Sequence, residues 1–138
     1  HVLRAVVALI EERGYRIAGA HELDPALLAG EGHWAGPALT PSLEEAMATG
    51  LSLLDDLSPY DVGQAAVVVG RRVVAVEGPE GTDRMLARVA SLRRPWPWSR
   101  PERDGILVKR PKSGQDLRVD LPAIGPRTLD NAARAGLA

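Results

Sequence analysis

The chain of 138 residues is 45% hydrophobic and 25% charged, which is enough for one globular domain with a hydrophobic core. Its formal net charge of −1 excludes the strong basic excess of a general nucleic-acid-binding protein, so no nucleic-acid partner is expected. Cysteine is absent, which excludes disulfides and thiolate metal sites and fits the reducing cytoplasm, and no run of about 18 apolar residues predicts a membrane span.

The N-terminal third predicts one helix, one short strand and a long loop. Val2 to Arg13 carries apolar residues at helical spacing, and Gly14 stands where a left-handed cap would end the helix. Residues 15–18 predict a strand, and the Asp-Pro pair at 24–25 predicts a brief helical turn. The glycines and prolines of residues 30–41 predict a loop. The sequence begins without Met inside a helical pattern, so we expect it to belong to a longer polypeptide.

The middle of the chain predicts a helix followed by a β-hairpin. Ser42, with Glu45 three residues later, is a capping box for a helix that runs to about Leu57. Two β-branched runs, Gln64–Val69 and Arg72–Val76, flank a Gly-Arg turn and predict the hairpin. Because a hairpin brings its open ends together, we expect the polar residues that flank it to lie near one another. These residues are Asp61, Gln64, Glu77 and Glu80.

A third helix is predicted from Thr82, a candidate N-cap, through Leu92. Asp83 admits two interpretations: it stabilises the helix start electrostatically, or the amides of this turn contact a phosphate or nucleotide. The basic, Pro-rich loop that follows contains Trp96 and Trp98. These tryptophans could stack on a base, meet acyl chains or lie at a membrane surface, or they could anchor an ordinary loop.

The stretch 106–126 carries the pattern most typical of a phosphate site. An apolar strand ends at Lys109, and Lys112 is the only other lysine in a chain with fifteen arginines. Three alternating charged residues, Asp116, Arg118 and Asp120, then predict an extended segment with one charged face. Cations bind phosphate oxygens and carboxylates hold Mg²⁺, so the cluster suits a phosphorylated substrate. A solvated edge strand with mixed charges would show the same pattern.

The last predicted element is a short helix from Pro126, capped by Gly136, with Leu129, Ala132 and Ala133 on one face. Taken together, the elements predict an α/β fold, with helices packed on a mixed β-sheet of four or five strands that contains the hairpin.

An ordered set of short motifs resembles the C-terminal domain of the LpxI family, the UDP-2,3-diacylglucosamine pyrophosphatases of lipid A biosynthesis. The motifs are Asp61-Val62-Gly63-Gln64, Ala75-Val76-Glu77-Gly78, Glu80-Gly81-Thr82-Asp83, Leu107-Val108-Lys109, Pro111-Lys112, Gln115-Asp116 and Val119-Asp120-Leu121-Pro122-Ala123-Ile124-Gly125. The resemblance places a boundary before Ser42: residues 1–41 would end a preceding segment, and residues 42–138 would be the catalytic domain, incomplete at its C-terminus. Because family members carry a further Rossmann-like domain, catalysis is expected to need the full-length protein.

The resemblance implies hydrolysis of UDP-2,3-diacylglucosamine to 2,3-diacylglucosamine 1-phosphate and UMP, with Mg²⁺ as cofactor. It assigns the essential aspartate to Asp120, with Asp116 as a second catalytic candidate. The expected substrate-binding residues are Lys109, Lys112, Arg118, Gln64, Thr82 and Asp83, and the expected metal ligands are Asp120, Glu80 and Asp61. The implied partners are the UDP-linked lipid, a second copy in a homodimer, and the inner membrane surface as a peripheral contact.

Two alternatives from other classes stay open. A non-catalytic ligand-binding or dimerisation module would use the carboxylates for structural ion pairs, which explains the charge alternation equally well. A small RNA-binding domain built on Lys109, Arg110 and Lys112 is weakened by the net charge and by the absence of Phe.

Overall fold

The computed structural model of the chain describes residues 2–93 and 103–138, and it divides into two units. The first unit comprises His1–Trp34 and Gly114–Leu121, and the second comprises Ala35–Ser113 and Pro122–Ala138. Helices α1 (Val2–Glu11) and α2 (Ala20–Leu23) belong to the first unit, as does a 3-10 turn at Pro25–Leu27. The second unit contains, in order, α3 (Pro41–Leu57), a 3-10 turn (Ser58–Tyr60), β1 (Ala65–Val69), β2 (Arg72–Val76), α4 (Thr82–Arg93), β3 (Ile106–Lys109) and α5 (Pro126–Arg134).

The helical predictions for the first unit are confirmed. Gly14 has a φ of 83°, and its N–H donates to the Glu11 carbonyl over 2.9 Å, as a left-handed cap requires. The side chain of Asp24 accepts from the Ala26 N–H at 3.0 Å and starts the predicted turn. The predicted strand at residues 15–18 is wrong. The Ile17 carbonyl accepts from the Arg118 guanidinium at 3.5 Å, so a side chain occupies a group that a strand would use in its ladder.

The charged segment of residues 116–120 is also not extended. The N–H groups of Val119 and Asp120 both donate to the Asp116 carbonyl at 3.2 Å, which closes a tight turn. The side chain of Asp116 accepts from the Arg118 N–H at 3.1 Å. An aspartate that hydrogen-bonds the backbone two residues ahead favours a turn over a strand, and this local bond outweighs the period-two pattern.

In the second unit, α3 begins two residues earlier than the capping box predicts. Thr40 is the N-cap, and its hydroxyl accepts from the Leu43 N–H at 3.3 Å. Pro41 takes the first helical position, where its missing N–H costs nothing. The predicted end at Leu57 is confirmed, because Ser58–Tyr60 continues only as a 3-10 turn.

The predicted hairpin and the α/β class are confirmed. Strands β1 and β2 pair antiparallel around the Gly-Arg turn, and β3 pairs antiparallel with the other edge of β1, which gives the order β2-β1-β3. The described residues thus contain three strands, where four or five were expected. β1 is central, and its first four residues are buried.

The two faces of the sheet are covered by different helices. Ala65 and Val67 share a core with Met85 and Leu86 of α4, whereas Ala66 shares a core with Leu54 of α3. Successive residues of a strand point to opposite faces, so the side chains of β1 contribute alternately to the two cores. Helix α5 packs beside α4. The second unit is therefore a three-layer arrangement with the sheet in the middle.

The last helix begins at Pro126 and ends before Gly136, which has a φ of 71°, as predicted. Its predicted apolar face is wrong in one position. Leu129 is 62% exposed, whereas Thr128 is buried and Ala132 packs against the core. The predictions for Trp96 and Trp98 fall outside the described residues. Within residues 2–93 and 103–138, every helix is too short or too polar to cross a bilayer.

Two glycines with positive φ provide a matched test of the sheet packing. Gly70 and Gly105 have φ values of 56° and 84°, and a methyl group at Gly70 would meet no atom within 4 Å. At Gly105 it would lie 2.7 Å from the Val68 carbonyl oxygen of the central strand. We expect Gly70→Ala to lower the free energy of unfolding by about 1–2 kcal/mol for the left-handed backbone alone. Gly105→Ala should cost about 1–3 kcal/mol more for overpacking.

Urea denaturation followed by circular dichroism measures both losses. Equal losses for the two variants would contradict the close approach of the Gly105 backbone to β1.

Candidate functional site

An open pocket of about 700 Å³ lies in the second unit at the start of α4, and we call it the α4 pocket. Four residues that the sequence analysis selected line it: Glu80, Thr82, Asp83 and Lys109. The remaining lining residues are Gly81, Arg84, Ala87, Arg127 and Thr128. The structure thus brings together part of the predicted site within one unit.

The geometry of the sheet places Lys109 and Glu77 on either side of one small residue. Lys109 of β3 is directly opposite Ala65 of β1. On the other side, the Glu77 N–H donates to the Ala65 carbonyl at 2.8 Å, one residue beyond the end of β2. Directly opposed residues of an antiparallel sheet point to the same face, and Ala65 points to α4. Both charged side chains therefore reach the start of α4.

Thr82, the first residue of α4, joins these two side chains. The Lys109 ammonium donates to Thr82 Oγ1 at 2.8 Å, and the Thr82 hydroxyl donates to Glu77 Oε1 at 2.7 Å. An ammonium group can only donate, so Oγ1 must accept from Lys109 and direct its own hydrogen to Glu77. Glu77 Oε2 accepts from the Gln64 N–H at 2.9 Å. The N-cap role predicted for Thr82 is wrong, because Thr82 is the first helical residue and the Gly81 carbonyl before it accepts from the Met85 N–H at 3.1 Å.

Glu77 is the functional candidate that the sequence analysis did not assign. It is 9% exposed, and its carboxylate has two donors at the open end of the hairpin. The expectation that the polar flanks of the hairpin lie close together is confirmed for Glu77 and Gln64. Period-two counting from buried Ala75 would have placed Glu77 on the α4 face, which is the signal that could have found it.

Asp83 connects the start of α4 to the start of α5. Its carboxylate accepts from Arg127 Nε at 2.6 Å and from the Thr128 hydroxyl at 3.2 Å. Burial opposes ionisation, but hydrogen bonds from Arg127, Asn131 and Thr128 outweigh it and hold the pKa of Asp83 below its usual value. Asp83 is thus an ionised structural link at the edge of the α4 pocket.

The charge of the α4 pocket favours an anionic ligand. Three cationic residues, Arg84, Lys109 and Arg127, line it beside two acids. Of the acids, Asp83 pairs with Arg127, and Glu80 pairs with Arg88 at 3.1 Å. The first N–H groups of a helix have no intrahelical partner and carry partial positive charge, and Gly81 has no side chain to cover them. Ligand oxygens could therefore receive bonds from Lys109 and from this helix start.

Two of the predicted metal ligands, Asp61 and Glu80, lie in the second unit, and each is paired with a cationic side chain. Asp61 accepts from the Lys112 ammonium at 2.5 Å, and this bond lowers the pKa of Asp61. A backbone amide bond, reinforced by Arg88, lowers the pKa of Glu80. Within residues 2–93 and 103–138, no group of three or more His, Asp or Glu side chains is arranged to hold a metal ion. In this structure the carboxylates of Asp61 and Glu80 are each paired with a cation, Lys112 and Arg88.

The remaining predicted site residues, Asp116, Arg118 and Asp120, belong to the first unit. The Arg118 guanidinium donates to both oxygens of Asp116, at 3.0 and 2.7 Å, and to Glu11 at 2.7 Å. These bonds lower the pKa of Asp116 to about 2, so it is ionised near neutral pH. The Asp120 carbonyl accepts from the Gln115 amide at 2.9 Å, which fixes the backbone beside the predicted catalytic carboxylate.

The Asp116 pair predicts a measurable pH dependence. Because the pKa of Asp116 in the folded chain, about 2, lies below its ordinary value, the pair stabilises the fold above about pH 4. This stabilisation is lost as the pH falls towards 2. We expect Arg118→Gln to raise the pKa of Asp116 towards about 3.9, as measured by carbon-13 NMR titration of the carboxyl group.

The control is Arg16→Gln, since Arg16 lies in the same unit and pairs with Glu22 at 3.3 Å. This change should leave the pKa of Asp116 where it is. An unchanged pKa in Arg118→Gln would show that the guanidinium is not the cause.

The comparisons with known proteins agree with the ordered motifs. The model of the LpxI C-terminal domain matches residues 30–138. Over 137 residues the chain is 40% identical to the UDP-2,3-diacylglucosamine pyrophosphatase LpxI of Caulobacter vibrioides, a match that covers 99% of this chain and 49% of that relative. The chain thus spans about half the length of the curated relative it matches. Since the family match covers most of the sequence and confirms the predicted resemblance, this chain belongs to the LpxI C-terminal domain family.

Proposed function

We propose that the chain forms part of an enzyme that hydrolyses the pyrophosphate bond of UDP-2,3-diacylglucosamine. Water adds to one phosphorus, the bridging P–O bond breaks, and the products are UMP and 2,3-diacylglucosamine 1-phosphate. The name of the Caulobacter relative supports this substrate, and the α4 pocket supports the chemistry. The remainder of the full-length protein is expected to complete the site.

The observation that carries the proposal is the cationic α4 pocket. Hydrolysis of a diphosphate leaves additional negative charge on the departing phosphate, so fixed donors that meet this charge lower the barrier. Lys109 can supply a charged donor, and the amides at the start of α4 can supply neutral ones. Arg84 adds positive potential to the lining, whereas the charge of Arg127 is paired with Asp83. Thr82 and Gln64 belong to the hydrogen bonds that hold Lys109, so we assign them a supporting role in substrate binding.

Asp120 is proposed as the catalytic carboxylate on the strength of the family resemblance. An ionised aspartate can orient the attacking water and accept its proton. Asp116 is a weaker candidate, because the low pKa that Arg118 imposes makes it a poor proton acceptor near neutral pH. Lys112 and Arg118 are proposed to neutralise phosphate oxygens, after exchange from the carboxylates that they hold in this structure.

Magnesium is proposed as the cofactor on the chemistry of the substrate. When bound, Mg²⁺ would neutralise oxygens of the diphosphate, and it commonly uses one or two protein carboxylates together with substrate oxygens. Asp61, Glu80 and Asp120 are the carboxylates proposed to hold the ion together with substrate oxygens. Asp61 and Glu80 would first have to release Lys112 and Arg88. A homodimer, a cytoplasmic location and peripheral contact with the inner membrane complete the proposal.

A non-catalytic binding module is the second candidate, and the ion pairs favour it. Asp61, Glu80 and Asp116 each hold a cationic side chain in the structure. Such pairs are what a purely structural role for the carboxylates would require. The two candidates differ in one measurable respect, because a binding module would release no UMP.

The first test is therefore the release of UMP from UDP-2,3-diacylglucosamine by the full-length protein, with and without Mg²⁺. We expect the wild-type protein to be active with Mg²⁺ and Asp120→Ala to lose at least about a hundredfold in kcat. Circular dichroism should show an unchanged fold. Near-wild-type turnover in the variant would reject the assignment of Asp120, and an inactive wild-type protein would favour the binding module.

The second test addresses the α4 pocket. Lys109→Met keeps much of the side-chain volume but removes the charged donor, so kcat/KM should fall about ten- to a hundredfold. Arg72→Met is the control, since it also removes a cation from the sheet but lies exposed at the turn of the hairpin. If both variants keep wild-type kcat/KM, the α4 pocket does not bind the substrate.

A further inference from the structure

We propose that Glu77 is a positioning residue that holds the Lys109 ammonium at the α4 pocket through the hydroxyl of Thr82. The effect on turnover rests on the proposed function, whereas the effect on Lys109 itself does not. Neither the sequence motifs nor the match to the family assigns a role to this glutamate.

The main-chain and side-chain groups of Glu77 are fixed from several directions. Its N–H donates to Ala65 at 2.8 Å, and its carbonyl accepts from the Gly63 N–H at 3.0 Å. A methyl group on Gly63 would lie 2.3 Å from the Glu77 carbonyl oxygen, so the two backbones meet without room for a larger residue. The carboxylate accepts from the Gln64 N–H and the Thr82 hydroxyl at 2.9 and 2.7 Å. Glu77 therefore cannot change its position without breaking the open end of the hairpin.

This fixed carboxylate sets the direction of the Thr82 hydroxyl. Because the hydroxyl hydrogen points to Glu77 Oε1, the oxygen lone pairs of Thr82 remain for the Lys109 ammonium at 2.8 Å. Lysine has a flexible four-carbon stem, and ordering it costs rotamer entropy. Because Thr82 already orders the Lys109 side chain, less rotamer entropy is lost when a ligand binds.

A comparison of the two lysines shows why the hydroxyl matters. Lys112 contacts the Asp61 carboxylate directly at 2.5 Å, so an opposite charge lies against its ammonium. Lys109 contacts a neutral oxygen, and the buried charge of Glu77 lies one group further away. The Lys109 ammonium donates one of its three hydrogens to Thr82, and its positive charge still lines the α4 pocket. The arrangement orients the cation without cancelling it at close range.

The test uses the scarcity of lysine in this chain. In protein labelled with nitrogen-15 lysine, the Lys109 ammonium signal is identified by its loss in Lys109→Met. We expect Glu77→Gln to shift this signal and speed its hydrogen exchange, since the amide has one acceptor oxygen and cannot accept from both the Gln64 N–H and the Thr82 hydroxyl. Thr82→Val should also shift the signal and speed its exchange. Thr82→Ser keeps the hydroxyl and should give the wild-type signal.

The matched control is Glu45→Gln, which makes the same chemical change at an exposed glutamate that pairs with Arg71 at 3.4 Å at the turn of the hairpin. It should leave the Lys109 signal unchanged. In the full-length enzyme, Glu77→Gln should raise KM for UDP-2,3-diacylglucosamine about tenfold, equivalent to about 1.4 kcal/mol, and the control Glu45→Gln should leave KM unchanged.

The two readouts separate the possible failures. A Lys109 signal that does not move in folded Glu77→Gln or in Thr82→Val would overturn the positioning role. If Glu77→Gln does not fold, the Thr82→Val and Thr82→Ser pair decides. If the wild-type protein is inactive but the Lys109 signal shifts as expected in the variants, the proposed function is rejected and the positioning role stands.

Discussion

The site depends on the antiparallel register that sets Glu77 and Lys109 on opposite sides of Ala65. Ala65 is fully buried, and a methyl group is small enough for the first turn of α4 to approach the sheet above it. Thr82 can then reach both charged neighbours at 2.7 and 2.8 Å. A shift of one residue in either strand pairing would send one of these side chains to the face covered by α3. The buried valines and alanines of β1 therefore fix the site as well as the core.

Five carboxylates in the described part of the chain differ in the partner that they hold. Asp61, Glu80, Asp83 and Asp116 each contact a lysine or an arginine directly, and in every case the pKa of the carboxyl is lowered. Glu77 instead contacts a backbone amide and a hydroxyl. A direct pair stabilises local structure, but the carboxylate neutralises the cation that it contacts. A hydroxyl-bridged pair leaves the cation oriented towards a ligand, which is what phosphate recognition needs.

Much of the second unit was predictable from local signals. The Gly-Arg turn between two valine-rich runs specified the hairpin, and Pro126 and Gly136 lie at the ends of the last helix as their backbone preferences require. The predictions failed where a side chain competes for the backbone. Arg118 bonds the Ile17 carbonyl, and Asp116 bonds the amide of Arg118, so residues 15–18 and 116–120 form no strand. Alternation of charge is a weak strand signal when its first member is an aspartate.

The sequence by itself determined the family, the α/β class, the order of the helices and the hairpin, and it selected Lys109, Thr82 and Asp83 as residues of interest. Only the tertiary structure decided which partner each charged side chain has. Lys109 and Thr82 are 27 residues apart, Lys112 and Asp61 are 51 apart, and Arg118 and Glu11 are 107 apart. Propensity and periodicity act over one or two turns of chain, whereas these contacts depend on strand register and on helix packing against the sheet. Glu77 shows the consequence: it is one more polar residue after a strand until the fold places Thr82 and Lys109 beside it.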